Sequence, residues 1–595
     1  MNKTFKMNYL ARDFSTIKQE LLAYAERYYP DQLADLSETS INNFLVESIS
    51  YVGDVLSYYL DYQTNETFLA TAIEEKNILK LAKSLGYKEK INDTASGKVA
   101  VYVLIPDDGN GQPDYSRSPI IKKGTELISN SRAYFTTTED VKIDSSVVGS
   151  NYVVARTNNA GNPLYYAAKT YLPIVSGRID TKTYDITTFT KFRKLYLTSA
   201  DISEIISIID SEGNEYHQVS NLSQNIVFKS FYNSDTDPKY ILKAVTAQRR
   251  FVFDYENGSP YILFGAKQYK PDEDLSSNPV AEPTKFVLNR YNNDYIQDDI
   301  FEPNVLNNGD NYGIGPDNTT LTITYRTSTS QNSNANIAEI NKISDLIVSF
   351  DDPIIPDNVR STIVNSIQIL NEETIVGQDN GILVNELKDL AGQIFASQGR
   401  AVTSKDYETL AYMMPQKYGS LKRVKADRNM DDFKKNINLY ITCIDRFGTL
   451  VKANSVIKDN LKAWLSNYKI ITDSVDILDA KIINFGINFS VMIDPNANKI
   501  EVLDKVKKQL EYIYASKPQI GESFNILNVY REIRKIKDVL DIKEVKIRNI
   551  TDIGYSQIPF NIQQNLTNDS NMIKIPRNAI WEIRDPVTDI VGNVI

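Results

Sequence analysis

A chain of 595 residues with 42% apolar and 24% charged side chains is long enough for several ordinary globular domains. Its net charge of −10 argues against general nucleic-acid binding, and its single Cys443 and single His217 exclude an intrachain disulfide and the usual His/Cys metal clusters. No run of about 18 apolar residues is present to span a membrane, and the opening MNKTFKMNYLARDF has no apolar run that would serve as a secretory signal.

Residues 1–95 read as a helical arm. Ile17, Leu21, Leu22, Ala25 and Tyr28 keep helical spacing after a polar start at Asp13, and Pro30 ends that helix. The next stretch, Ile41 to Tyr62, reads INNFLVESISYVGDVLSYYLDY. On a heptad its polar residues fall on two adjacent lines, Glu47, Asp54, Asp61 and Asn43, Ser50, Ser57. Nearly every other position is apolar or aromatic, including Ile41, Phe44, Leu45, Ile49, Val52, Val55, Leu56 and Tyr59. An edge helix of a globule needs only one apolar stripe. This one leaves a narrow polar stripe for water and asks for helices on several sides, so these eight residues are the candidate partner-helix interface. Between Arg27 and Lys76 there is no Lys or Arg but there are nine acids. The stripe Glu47, Asp54, Asp61 therefore suits a basic partner. A third helix carries Ile78, Leu79, Ala82 and Leu85, with Gly86 at the place of a left-handed C-cap.

From 96 to 335 the period changes to two, as in KVAVYVLIP and TTLTITYRTS, and turns such as Glu212-Gly213-Asn214 and Asn257-Gly258 recur. This is a mostly-β region, expected to be sandwich-like, with long loops over 268–318. Residues 336–420 read as a helical connector. It has an amphipathic helix through Leu387, Leu390, Ala391, Ile394 and Phe395, and a second helix capped by Thr403 with Asp406. Gly377, Gly381, Gly399 and Arg400 are the candidate hinge. Residues 421–548 alternate strands and helices with a βαββαβ flavour, with a bulge expected at Gly486, and 549–595 read as a mixed C-terminal extension. The fold class is multidomain α+β: an N-terminal helical arm, a central mostly-β part and a C-terminal α+β domain.

Catalytic patterns are missing. There is no Walker-type loop, and GIGPDN at Gly313 lacks a third glycine and precedes a strand. His217 reads as a structural residue of a strand, and no carboxylate pair is singled out by spacing. Lys422, Arg423 and Lys425 read as a solvated or subunit-facing edge. No catalytic residue, metal or cofactor is expected, and the chain is not expected to be an enzyme.

Several stretches in collinear order carry a resemblance. They are YLARDFSTIKQEL, DLSETSINNFLVESISYVGDVLSYYLDYQTNETFLATA and LAKSLGY at the N-terminus; IIKKGTELISNSRAYFTTTEDVKI, PYILFG and GIGPDNTTLTITYRTS in the β region; and NEETIVGQDNG and RAVTSKDYETLAYMMPQKYGSLKRVKA beyond it. Through these the chain resembles the baseplate wedge protein of T-even-type contractile phages, within the J-like baseplate family. The resemblance implies a structural subunit of a virion tail baseplate, assembled in the host cytoplasm. It implies two intertwined copies per wedge, bound to other wedge proteins, with N-terminal helices bundled beside a sheath-initiator-like subunit. It further implies C-terminal domains that link wedges into a ring and rearrange on contraction. No nucleic-acid contact and no membrane insertion are expected. Alternatives are the wedge part of a bacterial contractile injection or secretion system, a tail adhesin binding the host surface, and a cell-wall hydrolase carried in a baseplate.

Overall fold

The computed structural model describes residues 13–29, 40–144, 152–159, 161–232, 240–256, 258–268, 312–328, 333–352, 354–379, 384–428 and 436–595. The fold is the α+β assembly read from the sequence, with helices first, mostly strands next and an α+β part last. Most of the long-loop stretch, 269–311, lies outside the described residues. The chain divides into two units, Met1–Tyr87 with Ile382–Ala396, and Lys88–Gly381 with Ser397–Ile595.

The first unit is helical. Helix α1 (Phe14–Tyr28) starts where the Thr16 hydroxyl accepts from the Asp13 N–H at 3.2 Å. Helix α2 (Ile41–Glu66) is capped by Ser40, whose Oγ accepts from the N–H groups of Asn42 and Asn43. Glu66, at its end, accepts from the Ile73 N–H at 2.7 Å and from Asn77 Nδ2 at 2.9 Å, which fixes the entry to α3 (Glu75–Ser84). Gly86 has φ +100°, and the Tyr87 N–H returns to the Ala82 carbonyl, closing α3 as its sequence requires. The sequence places the amphipathic helix near 385–397 in a connector. In the structure most of it belongs to this N-terminal unit. That helix is labelled α5 (Val384–Ser397) here, since α4 (Asp357–Asn365) precedes it in the chain. Leu387, Leu390, Ala391 and Ile394 are buried, and Lys388 Nζ reaches the Ala72 carbonyl at 2.7 Å. Phe395, expected on the same face, is 66% exposed.

The second unit contains two seven-stranded sheets with separate cores, so the region is two β bodies and not one sandwich. The first sheet runs Ile340–Asp345, Glu126–Ser129, Tyr134–Thr137, Pro163–Ser176, Ser96–Pro106, Gln368–Leu370, with Tyr152–Thr157 added on Pro163–Ser176. Its core takes the alternate residues Val99, Val101, Val103 and Ile105. The second runs Arg178–Ile186, Thr319–Thr327, Ile202–Ile209, Glu215–Gln218, Arg250–Glu256, Ser259–Phe264, Lys194–Tyr196, and closes over Ile208, Phe251, Phe264 and Ile323. The GIGPDN motif has a packing reason. A side chain on Gly265 would come within 2.0 Å of the Gly313 carbonyl oxygen, and Gly313 itself has φ +84° with Arg250 against it. Gly265→Ala is expected to destabilise this body by about 3 kcal/mol, since backbone and not a flexible side chain must move. Urea unfolding of the variant checks it.

The C-terminal region also divides differently from the sequence reading. One α+β body pairs Arg423–Arg428, Ile437–Ile444, Leu450–Val451 and Val475–Asp479 under α6 (Ser404–Tyr412) and α7 (Ser455–Ser466). Thr403 and Asp406 form the capping box that their spacing indicates, and Tyr407, Leu410 and Ala411 point inward. The other body is built on the long strand Lys481–Ile493 with α8 (Lys499–Tyr514) and α9 (Ile526–Arg534). That strand pairs antiparallel with Val539–Asn549. On its other side it pairs in parallel with Ala579–Glu582 and then Ile590–Val594. Residues 549–595 are thus part of a sheet and not an extension, because only their short strands complete it. The bulges lie opposite Ser490–Ile493 and not at Gly486, where a side chain would meet Arg548 Nε at 2.7 Å. Buried Glu582 accepts from Lys517 Nζ at 2.5 Å and from the Leu450 N–H at 2.9 Å, tying the two bodies together. Arg423 is buried on the carbonyls of Lys517 and Pro518, and Lys422 pairs with Asp379 at 2.7 Å. Arg423 and Lys422 thus hold the interior together and do not form a solvated edge, whereas the Lys425 side chain stays partly exposed beside Glu408.

Candidate partner-binding helix

Helix α2 turns part of its expected water stripe inward. Asn43 and Ser50, expected on the water stripe, are buried, while Ile41, Phe44, Leu45, Ile49, Val52, Leu56 and Tyr59 are between 52% and 78% exposed. Val55 is half-buried. The cause lies in what α1 offers. A side chain on Gly53 would meet Ile17 Cδ1 at 3.2 Å, so the small Gly53 and Ser50 let α1 come close on that line. The buried Ser50 hydroxyl is satisfied by donating to the Val46 carbonyl at 2.7 Å. Beside it, Asn43 Nδ2 and Lys18 Nζ both donate to Glu47 Oε1, at 3.1 and 2.7 Å. A polar, small-residue seam thus holds the helix pair together, and the large apolar side chains face outward.

Part of the acidic stripe is answered within the chain. The Lys18 ammonium hydrogen-bonded to Glu47 holds that carboxyl below the usual carboxylate range. The expectation that Glu47 waits for a cation from another chain is therefore corrected: its cation is on α1. Asp54 is half-buried and Asp61 exposed. The Tyr residues at the far end make a small aromatic group, Tyr58 stacked on Tyr62 at 6.3 Å and edge-on to Tyr59 at 6.0 Å. The Tyr62 hydroxyl donates to Glu74 Oε1 at 3.0 Å, which pushes the phenol up. Glu47→Lys is expected to set two ammonium groups against each other and to increase protease nicking between α1 and α2 with no other chain present. Asp54→Lys is expected to leave nicking unchanged and act only on assembly.

The candidate hinge residues fall in different settings. Gly377 (φ +123°) sits where a side chain would meet Gly419 Cα at 3.0 Å and the Thr94 carbonyl at 3.1 Å, and its own carbonyl accepts from the Ser420 N–H. That is a packed site. Gly381 lies outside the described residues. Gly399 (φ +69°) follows Gln398 (φ +50°) in an open turn just past the unit boundary at Ala396. Arg400 completes that turn, its N–H on the Ser397 carbonyl, before Ala401 anchors to Tyr468. His217 lies half-buried in the strand Glu215–Gln218, with Nδ1 3.7 Å from Glu215. Among the described residues no group of three or more His, Cys, Asp or Glu side chains gathers as if for a metal ion, and no helix is long and apolar enough to cross a membrane.

Residues 13–84, which hold the three N-terminal helices, match the family described as bacteriophage baseplate protein, N-terminal domain. This stretch is thus similar to baseplate N-terminal domains, and α2 is the longest helix described within it. No curated protein matches the chain. Similar solved structures include a chain of the anti-feeding prophage baseplate, at 9% identity over 95% of this chain and 90% of that one, with a TM-score of 0.26. Another is a chain of the type VI secretion system TssK-TssF-TssG baseplate subcomplex, at 7% identity over 74% of this chain and 96% of that one, with a TM-score of 0.23. Scores this low fall short of a shared fold.

Proposed function

We propose that this chain is a structural, non-catalytic wedge subunit of a contractile-tail baseplate. In this reading the outward face of α2 completes a helical bundle with a second copy and with other wedge or sheath-initiator-like chains. The C-terminal region then joins copies into a ring around the tube, and the turn at Gly399–Arg400 absorbs the rearrangement on contraction. The observation that carries the reading is the orientation of α2. A helix that buries Asn43 and Ser50 while exposing Phe44, Leu45, Ile49, Val52, Leu56 and Tyr59 offers a contiguous apolar surface of the kind that marks a protein–protein contact. The match of residues 13–84 to baseplate N-terminal domains supports the setting.

The test is the mass in solution of the purified chain, alone and after co-expression with the products of neighbouring genes. A dimer that takes up a third, different chain is the expected result. A monomer or trimer that ignores those neighbours would overturn the reading.

A further inference from the structure

The strand Val539–Asn549 is a border of its sheet. It pairs with Lys481–Ile493 and, among the described residues, with no other strand. Such a border carries a row of unpaired N–H and C=O groups, a template for another strand. Two extra residues shape it. Ser490 lies opposite Glu544 and Val491 opposite Ile542, which leaves Lys543 over; Met492 lies opposite Asp541 and Ile493 opposite Val539, which leaves Leu540 over. The extra residue at Lys543 shifts the alternation. Ile542, Val545 and Ile547 therefore share the inner face against the core, and Asp541, Glu544 and Lys546 share the outer one.

We infer that this border pairs antiparallel with the same strand of a second copy, in the register that sets Lys543 opposite Glu544. In that register Asp541 faces Lys546, both on the outer side, and Ile542 faces Val545, both on the inner side. The exposed Leu540 comes opposite Ile547. The twofold repeats every pair, as an isologous contact must. Opposite charges directly across a ladder stabilise it and like charges weaken it. A slip of one residue in one direction sets Glu544 against Glu544, and in the other Lys543 against Lys543, with apolar residues opposite charged ones.

The groups already near these charges do not block the pairing. Asp541 Oδ1 accepts from the Ile542 N–H at 2.8 Å and lies 3.6 Å from Arg534, so Oδ2 is the oxygen left for an incoming ammonium. Lys546 sits 2.7 Å from Glu544, with both side chains more than half exposed, and such pairs exchange at little cost. The inference rests on the reading that copies join through the C-terminal region, and it gives that joint a surface. It does not involve α2.

The experiment uses the full chain as two variants with one added cysteine each, Asp541→Cys and Lys546→Cys; the native Cys443 is buried and does not compete. Mixed and oxidised, they are expected to form a covalent dimer. Asp541→Cys alone is expected not to, because its two copies would lie about 14 Å apart at ~3.4 Å per ladder position, four of which separate 541 from 546 once Lys543 is left over. In a second arm Asp541→Lys lowers self-association roughly tenfold and adding Lys546→Asp restores it. A mixture that cross-links no better than either variant alone, or a charge swap that fails to restore, overturns the inference. If that happens while co-expressed neighbours still assemble on the chain, the strand joint alone is wrong. A mixed cross-link without assembly supports the joint and counts against the role of α2.

Discussion

Ile49→Asp with Leu56→Asp in the same chain is expected to abolish co-purification with partner chains while leaving the rest of the protein folded. Both side chains are more than half exposed, so the substitution opens no cavity within the chain. Each, if buried by a partner, contributes about 1.5–3 kcal/mol. Losing both lowers affinity by roughly 10² to 10⁴-fold. The two new carboxylates add to a stretch already without a basic residue from Arg27 to Lys76. Urea unfolding of the variant should match the parent within about 0.5 kcal/mol, as for other surface changes. Normal assembly of this double variant would remove the basis for treating α2 as a docking helix.

Asp93→Asn is expected to abolish a pH dependence of stability. Asp93 is buried in the second unit, and its Oδ1 has no hydrogen-bond partner. Burial pushes its carboxyl up to about 6. Lys90, Lys422 and the Ser420 hydroxyl offset part of that push, while Asp379 adds to it. Lys90 is itself committed to the Tyr412 carbonyl at 2.7 Å, Lys422 to Asp379, and the buried Tyr255 phenol is raised beside them. The sign follows from the direction of the shift. Between the ordinary 3.8 and about 6 the folded chain holds a proton that the unfolded chain has released. Stability from this site is therefore greatest at the acid end and falls as pH rises through the window, by about 3 kcal/mol, then stays level. The amide of the variant cannot titrate, so that slope should be lost. Trp464, whose indole donates to the Leu410 carbonyl in the adjoining body, gives a fluorescence signal for the unfolding series. An unchanged slope from about pH 4 to about 6.5, the window set by the two carboxyl values, would assign the behaviour to other groups.

Local patterns in the sequence were enough for some caps and for most helix bounds, although α2 runs on to Glu66, four residues past Tyr62. Gly86, Thr403 with Asp406, and the buried faces of α5 (all but Phe395) and α6 follow from residues three to four apart. What those patterns could not give was pairing information held elsewhere. A helix apolar on most sides has no preferred face of its own. Which side of α2 turns inward was decided by Ile17 and Lys18 of α1, which meet Gly53 and Glu47. The same holds for Ala579–Glu582 and Ile590–Val594. Their short apolar runs say nothing of the parallel partner almost a hundred residues earlier, so the tail reads as an appendage until the long strand Lys481–Ile493 is seen. The single-sandwich reading failed for a related reason: period-two strands reveal a sheet but not how many cores the sheets share.

The junction of α5 with the N-terminal helices has a consequence in time. Lys388 Nζ and its acceptor, the Ala72 carbonyl, are separated by 316 residues of chain. A ribosome adding about 5–20 residues per second needs roughly 15 to 60 s to cover that distance. Throughout that interval α1, α2 and α3 are outside the ribosome without the helix that completes their unit. In the proposed role the outward face of α2 would therefore be on offer to a partner before the chain that carries it is finished, and assembly would be open to begin on nascent protein.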